Sequence, residues 1–524
     1  MTGVLITAIA LPLWLGVIAY GLRLRSIGRR GGLTKDRPHR KAVVIGLVVA
    51  LVALPLTAGF TGWRFATCLG GGFDLGVSRE GGECVGITDG GYDFAGGLGE
   101  GFGDETKAAL GKVERKIAEQ NGELSGPHVK IAMLAPFTSP LSGPRLVHEL
   151  EGVAAAQRHV NADGREPKVE LVLGQLGAAE KQWEHVVGQV IALRDDNTPL
   201  VAAIGLGLSQ DELGKIAGAL SDADVAMVGD ITTGVIGGIP GFHRVSYNNT
   251  DQFTALFGYL DTQNVDFGQS IVVRSADSSD TYSRTAAEQV EGQLETRKSR
   301  FDPFDFGGGN LDGQFATIAR AICVRNAPRP PVLFYTGRSL HLSTLLQRLD
   351  STPYCDGVKV VSASDAAVLT MTSADATAMD RWGVDKVRTV LRHRKISLYY
   401  TPLADKESLA QRPGFKDLLG QFAAEGFSAD DLDTGWAINS WDALHVAMNW
   451  VWDAKGDSQD GKAVPQHDDV RLAAQTSYHG KGSVPIYAGA SGDFSFDADG
   501  NRVDQPVGGP PVVWLTGDGQ RIVG

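Results

Sequence analysis

The sequence is short of cysteine and of basic residues, and each shortage excludes a class of protein. Four cysteines among 524 residues are too few for a fold held together mainly by disulfides. Lysine and arginine number 49 against 61 aspartate and glutamate residues, which gives a formal net charge of −12. Without a basic surplus to neutralise phosphates, no nucleic-acid partner is expected. Apolar residues make up 43% and charged residues 21%, a balance typical of a folded globular protein.

The sequence also lacks the common motifs of catalytic and metal centres. It has no H-E-x-x-H, G-x-S-x-G or C-x-x-C, and no His/Cys group with zinc spacing. Residues 456–462 resemble a phosphate loop, but Ala463 replaces the metal-binding hydroxyl, so a polar surface loop is predicted. Residues 497–501 resemble the start of a calcium loop but fit a hairpin turn better. His148 and Glu149 are expected on a solvated helix face. We therefore expect no catalytic residue, metal or cofactor, and predict that the chain is not an enzyme.

Two long uncharged stretches lie near the N-terminus. Residues 3–22 and 42–62 are each long enough to cross a hydrocarbon core of about 30 Å. Residues 23–41 between them hold eight basic residues and one acid, and so short and basic a loop remains cytoplasmic. We predict that residues 1–62 form a cell-membrane anchor of two transmembrane helices, whose loop contacts membrane lipid, and that residues 63–524 are extracellular. A cleaved signal peptide and a buried helical hairpin are the alternatives.

The cysteine spacing fits the oxidising environment of the extracellular space predicted for residues 63–524. Local bridges Cys68–Cys84 and Cys323–Cys355 are the simplest of the three possible pairings. Lipid attachment at Cys68 is an alternative that would leave Cys84 unpaired.

The remainder of the chain changes from a glycine-rich segment to regular alternation. Residues 69–103 predict a neck with little helix or strand, and residues 104–122 predict a short amphipathic helix; together they belong to a neck region, 63–127. From Val129 onward, short apolar runs alternate with helical periods. Alternation over so many residues predicts an α/β protein with parallel sheets, covered by helices on both faces and divided into two lobes.

The order of these segments resembles the type I periplasmic solute-binding proteins, specifically the leucine/isoleucine/valine-binding branch, and related receptor ligand-binding domains. The resemblance implies two doubly wound parallel sheets joined by a hinge, which close around a ligand. It assigns residues 128–247 plus about 399–480 to lobe one, and residues 248–398 plus about 481–524 to lobe two. The segments that carry it are VKIAMLAPFTSPLSG, the helix with Glu151-Gly152-Val153, AAIGLGLSQ, AMVGDITTG, FHRVSYNNTDQ, IVVRSADSSDTYS, WDALHVAMNWVWDA and GDFSFDADGNR.

The same resemblance implies ligand-binding residues in each lobe. Ser209 matches the family's ligand-binding serine, and Asp230, Ile231 and Thr232 stand where the family has two small residues and a threonine. Asp365 matches the acid that binds the ligand's ammonium group. Capping of the following helices by Ser209 and Thr232, capping by Asp230 of its own turn and a solvated loop position for Asp365 are alternatives.

Three further positions complete the implied site. Arg338, or its neighbour Ser339, falls where the family has an aromatic ligand contact. Arg145 faces the cleft from the first loop-to-helix turn. Tyr282 either lines the lobe-two side or packs against it.

These charges predict a small polar, amino-acid-like ligand and weak binding of leucine, isoleucine and valine, because buried charges need complementary partners. The resemblance implies delivery of the ligand to an ABC-type permease. An extracellular sensor that acts through a membrane signalling partner is the alternative function, and a hydrolase built on the same fold is a more remote one.

Overall fold

The computed structural model describes residues 68–99, 102–268, 270–323, 332–371, 376–457, 464–477, 485–506 and 508–524. The predicted membrane anchor, with its basic loop, lies outside these residues, as does most of the predicted surface loop at 456–462. Among the helices that the structure describes, none has the length and apolar character needed to span a bilayer.

Strands and helices alternate along most of the described chain. The strands are β1 (Val77–Glu80), β2 (Glu83–Thr88), β3 (His128–Ala135), β4 (Lys168–Gln175), β5 (Leu200–Gly205), β6 (Ala226–Gly229), β7 (Phe242–Arg244), β8 (Ser270–Ser275), β9 (Phe301–Phe306), β10 (Val332–Tyr335), β11 (Val358–Val361), β12 (Ile396–Tyr400), β13 (Tyr487–Gly489), β14 (Gly492–Phe496), β15 (Arg502–Asp504), β16 (Val513–Thr516) and β17 (Gly519–Ile522). The α-helices are α1 (Asp104–Gly122), α2 (Arg145–Ala162), α3 (Trp183–Ala192), α4 (Asp211–Asp222), α5 (Asn249–Thr262), α6 (Thr281–Thr296), α7 (Leu311–Ile322), α8 (Ser339–Ser351), α9 (Ala376–Trp382), α10 (Val384–Arg392), α11 (Lys406–Leu409), α12 (Pro413–Glu425), α13 (Trp436–Asp457) and α14 (His467–Thr476).

Two seven-stranded sheets form the two lobes. The lobe-one sheet has the order β1-β2-β4-β3-β5-β6-β7, and the lobe-two sheet has the order β17-β16-β12-β11-β10-β8-β9. Strands β3 to β7 are parallel to one another, as are β8 to β12, while each sheet carries an antiparallel hairpin at one edge. The predicted two-lobed α/β architecture is therefore confirmed, with mixed rather than purely parallel sheets.

Alternating apolar side chains explain why each sheet has helices on both faces. In β3, Ile131 and Met133 enter one hydrophobic core, while Ala132 and Leu134 enter the core on the opposite face. Successive side chains of a strand point to opposite faces, so a strand buried on both sides reads as a continuous apolar run. The lobe-two sheet is likewise covered by two separate cores.

The prediction of a neck with little helix or strand was wrong. Strands β1 and β2 form a hairpin that joins the edge of the lobe-one sheet, where Gly86 pairs with Gln175. The glycines serve the hairpin: Gly81 and Gly82, at φ +57° and +96°, form its turn. Helix α1 occupies the predicted residues, and three of its apolar side chains pack into the lobe-one core. These are Leu110, Val113 and Ile117.

The C-terminal part of the chain is divided between the lobes differently from the expectation. Helices α13 and α14 pack against the lobe-one sheet, but β12 pairs with β11 in lobe two. Strands β13–β15 form a separate small sheet. Its aromatic side chains Tyr487, Phe494 and Phe496 lie in the lobe-one core, so this sheet belongs to lobe one. Only β16 and β17 extend the lobe-two sheet. The hairpin turn predicted at 497–501 joins β14 to β15, and the Asp497 carboxylate accepts the N–H groups of Asp499 and Asn501.

Both predicted disulfides are present. Cys68 and Cys84 are bridged with Cα atoms 5.7 Å apart, and Cys323 and Cys355 with Cα atoms 4.8 Å apart. The first bridge ties the start of the described chain to β2, and the second ties the end of α7 to the segment before β11. Because its sulfur is in a bridge, Cys68 is not available for lipid attachment.

Candidate ligand-binding cleft between the lobes

The loops that follow the parallel strands of the two sheets meet along a cleft. In such sheets, ligand sites lie outside the carboxyl ends of the strands. Here the loop after β5 contacts the start of α6: the N–H of Tyr282 donates to the carbonyl oxygen of Ser209 at 3.0 Å. The N–H of Asp211 donates to the carbonyl oxygen of Ser279, also at 3.0 Å. The lobes are therefore in direct contact across the cleft.

A buried ion pair joins the lobes at its centre. Arg145, at the start of α2 in lobe one, donates to an oxygen of Asp365 in lobe two at 2.8 Å. The other Asp365 oxygen accepts the N–H of Ser339 at 2.6 Å. Arg145 also donates to the carbonyl oxygens of Leu141 and Ser142. Both charged side chains are almost inaccessible, with exposed fractions of 2% and 6%. Although burial alone would raise the pKa of Asp365, Arg145 and Arg338 outweigh it and lower the pKa.

A second buried ion pair lies beside the first in lobe two. The Arg338 guanidinium donates to both oxygens of Asp280, at 3.0 and 2.8 Å, and to the carbonyl oxygen of Ser209 at 3.1 Å. It lies over the Tyr282 ring, 4.4 Å from the centroid. Burial opposes the charge, but Asp280 and Asp365 together raise the pKa of Arg338. The predicted residues Arg145, Asp365, Arg338 and Tyr282 thus form one charged cluster.

The other predicted residues lie in lobe one. The Ser209 hydroxyl accepts the N–H of Gly234, and one Asp230 oxygen accepts the N–H of Ile231. Thr232 is fully buried, and its hydroxyl has no hydrogen-bond partner among the described residues. The Ser209 hydroxyl does not cap α4, since Gln210 is the N-cap of that helix. Thr232 caps no helix either, because the next helix along the chain, α5, has Asn248 as its N-cap. Ile231 packs in a small apolar cluster that includes Leu208, Leu403 and Trp436.

Two buried acids beneath the cleft were not predicted. Burial raises the pKa of Glu180 to about 8, and burial together with Asp230 raises the pKa of Glu149. The pKa of Asp230 is raised to about 6 by burial. The prediction that His148 and Glu149 lie on a solvated helix face was wrong. Helix α13 covers this side of α2, and its Ser440 hydroxyl donates to the carbonyl oxygen of Glu149. His148 contacts Asp431, which precedes α13. The polarity of these residues gives no sign of such burial in the sequence.

Asp280 was also missed as a site residue, although the sequence holds a signal for it. Its carboxylate accepts the N–H of Ser283 and caps α6, and an aspartate directly before a helical segment is a favoured N-cap residue. Its partner Arg338 is 58 residues away, so the ion pair itself has no local signature.

An open cavity of about 530 Å³ lies on the outer side of this cluster. Leu141 and Gln210 line it from lobe one, and Asp277, Arg338 and His341 line it from lobe two. No group of three or more His, Cys, Asp or Glu side chains in the described segments is arranged to hold a metal ion.

No protein-family model and no curated protein matches the sequence. Solved structures do match. The branched-chain amino acid transporter substrate-binding protein LivJ from Streptococcus pneumoniae, in complex with isoleucine, is 14% identical, with a TM-score of 0.54 over 75% of this chain and 99% of that one. The leucine-binding protein LivK from Thermotoga maritima is 15% identical, with a TM-score of 0.53 over 75% and 97%. An ABC transporter substrate-binding protein from Desulfitobacterium hafniense, complexed with leucine, is 15% identical, with a TM-score of 0.52 over 75% and 99%.

These matches define the architectural class. The chain has the two-lobed fold of the type I periplasmic binding proteins, and the structures that share it include leucine/isoleucine/valine-binding proteins. The predicted resemblance is confirmed at the level of the fold.

Proposed function

We propose that the chain is an extracellular solute-binding protein, which captures a small polar, amino-acid-like ligand between its lobes for an ABC-type importer. The observation that carries this proposal is the meeting of charged side chains from both lobes in one cleft. Arg145 of lobe one contacts Asp365 of lobe two, and Arg338 of lobe two contacts Ser209 of lobe one. Groups placed in this way change their surroundings whenever the lobes open or close.

The charges of the cleft favour a polar ligand over an aliphatic one. Arg145, Asp365, Arg338 and Asp280 are all largely buried, and an apolar ligand side chain among them would add no partner for any of these charges. Leucine and isoleucine are bound by proteins of the same fold, but this cleft offers guanidinium and carboxylate groups. A ligand with its own charges supplies partners to the charged side chains that line the cleft, which an aliphatic ligand cannot do.

We also propose that the two apolar stretches, 3–22 and 42–62, anchor this binding protein in the cell membrane with loop 23–41 inside. The proposal rests on their length, lack of charge and the basic residues between them. Whole-cell labelling of single introduced cysteines tests it. A cysteine at position 300 should react with an impermeant reagent from outside, whereas one at position 30 should not. Labelling of position 30 from outside would contradict the topology.

The binding experiment is a calorimetric titration of the purified full-length protein with polar amino acids and, separately, with leucine, isoleucine and valine. We expect at least one polar amino acid to bind and the three aliphatic ones to bind at least tenfold more weakly. Arg338→Gln should weaken binding of the polar solute. Arg348→Gln is the matched control, because Arg348 lies on α8, the helix that Arg338 directly precedes, and its guanidinium pairs with Asp312 on the surface. Tight leucine binding that is unchanged in Arg338→Gln would contradict the proposal.

The sensor function has one observation in its favour. The lobes are held together by the chain's own Arg145–Asp365 pair, so a solute that disrupts this pair would change the lobe arrangement that a membrane partner contacts. Cross-linking in membranes separates the two functions. Capture of a permease supports import, and solute-dependent capture of a signalling protein supports sensing.

A further inference from the structure

We propose that the solute occupies the outer cavity beside Arg338, and that a zwitterion is bound there with its carboxylate on Arg338 and its cationic end on Asp277. This assignment rests on the proposed function and specifies where and how the solute is held. It differs from the inner positions implied by the sequence resemblance.

The inner positions are already filled by groups of the chain itself. Both oxygens of Asp365 are engaged, one by the Arg145 guanidinium and the other by the N–H of Ser339. The Arg145 side chain therefore stands where a ligand's ammonium group would have to be. The Ser209 hydroxyl accepts the N–H of Gly234, and so is engaged as well. A solute at these positions would first have to separate a buried ion pair, which is costly.

The outer cavity, by contrast, is open and lies between the lobes. Its volume of about 530 Å³ is within the range of small-molecule sites. Leu141 and Gln210 bound it from lobe one, and the ends of β8 and β9 bound it from lobe two, at Ser275 and Phe306. A solute in this position contacts both lobes, as a ligand that responds to lobe closure must.

The polar groups of the cavity match the two ends of a zwitterion. Arg338 uses Nε and Nη2 for Asp280 and Ser209, and its Nη1 has no hydrogen-bond partner among the described residues. That nitrogen is free to donate to a carboxylate. Asp277 uses only Oδ1, which accepts the N–H and hydroxyl of Ser279, and no hydrogen bond from the described part of the chain reaches its Oδ2. That oxygen is free to accept from an ammonium group.

The remaining residues that line the cavity fit a small solute whose side chain is short and weakly polar. Phe306 presents a nearly buried ring, and His341 lies edge-on to it with ring centroids 6.1 Å apart. Burial lowers the pKa of His341, so it is a neutral hydrogen-bonding group rather than a second cation. Helix α7 begins at Leu311 on the same wall, and its N-terminal end adds a partial positive charge.

A matched pair of variants and one inner-position variant test the assignment, by calorimetric titration of the full-length protein with L-serine, L-glutamine and L-arginine. Asp277→Asn should weaken binding about tenfold to a hundredfold, because it removes the charge that binds the ammonium group. Asp266→Asn should have no effect, although Asp266 is also an exposed lobe-two acid whose Oδ1 accepts an N–H two residues later. Thr232→Val removes an unpartnered hydroxyl at the inner position and should leave affinity unchanged.

The outcomes separate this inference from the proposed function. Loss of binding in Thr232→Val with full affinity in Asp277→Asn would place the solute at the inner position; the assignment would be overturned while solute binding would stand. Binding of none of the three probes at millimolar concentration would overturn both. Circular dichroism of each variant shows whether a loss of affinity reflects a loss of fold.

Discussion

Removal of the Arg145 guanidinium by Arg145→Met should destabilise the protein by about 3–5 kcal/mol, the range measured when one partner of a buried ion pair is removed. The substitution leaves the Asp365 carboxylate buried with the N–H of Ser339 as its remaining close donor. It also leaves the carbonyl oxygens of Leu141 and Ser142 without their donor and removes a cation above a tryptophan ring, so the upper part of the range is expected.

Urea denaturation followed by tryptophan fluorescence measures this loss as a lower midpoint at unchanged slope. Arg284→Met is the matched control, because Arg284 also faces an acid of the opposite lobe, Asp211 at 3.8 Å, but its side chain is 44% exposed. The control should cost about 0–1 kcal/mol. The double variant Arg145→Met/Asp365→Asn should lose much less stability than the sum of the losses of the two single variants, since the unpaired Asp365 charge is then removed. If Arg145→Met costs no more than the control, the Arg145–Asp365 pair does not hold the lobes together.

Three further perturbations test other parts of the structure. Replacing Cys323 and Cys355 by serine should lower the unfolding free energy by roughly 3–4 kcal/mol in the chain-entropy model, measured by urea denaturation; a loss below about 1 kcal/mol would contradict it. Glu180→Gln should change the pH dependence of the melting temperature. The folded pKa of Glu180 is about 8 against an ordinary 4.5, so wild-type stability falls as pH rises between these values, and the variant should fall less; parallel curves would refute the raised pKa. Gly143→Ala should separate the lobes, because the new methyl group would lie 2.0 Å from the Trp382 ring of lobe two and Gly143 has φ +57°. Small-angle X-ray scattering should show a larger radius of gyration, and an unchanged radius would contradict that packing.

The sequence predicts the fold more completely than the site because apolar periodicity is a local property. A short apolar run such as that of β3 predicts a buried strand whichever other strands pair with it. The glycine-rich hairpin was missed because Gly81 and Gly82 give the same signal in a loop and in a tight turn. The aromatic residues of β14 gave no sign of which lobe they face, since either core accepts them.

The charged cluster could not be predicted from local sequence patterns, for a different reason. Arg145 and Asp365 were placed in the cleft by resemblance, but their pairing spans 220 residues and depends on how the lobes meet. Glu149 and Glu180 carry no mark of burial in the sequence, because an acid in an amphipathic helix or a loop is ordinarily solvated. Only the packing of α13 over α2 shows that Glu149 is enclosed.

Capture of a polar solute between the lobes can be seen directly in a crystal structure of the protein grown with the polar amino acid that binds most tightly. We expect electron density for that solute in the cleft, in contact with both lobes and with Arg338. Density on the outer surface of a single lobe, or a cleft filled only by the Arg145–Asp365 pair at saturating solute, would contradict it.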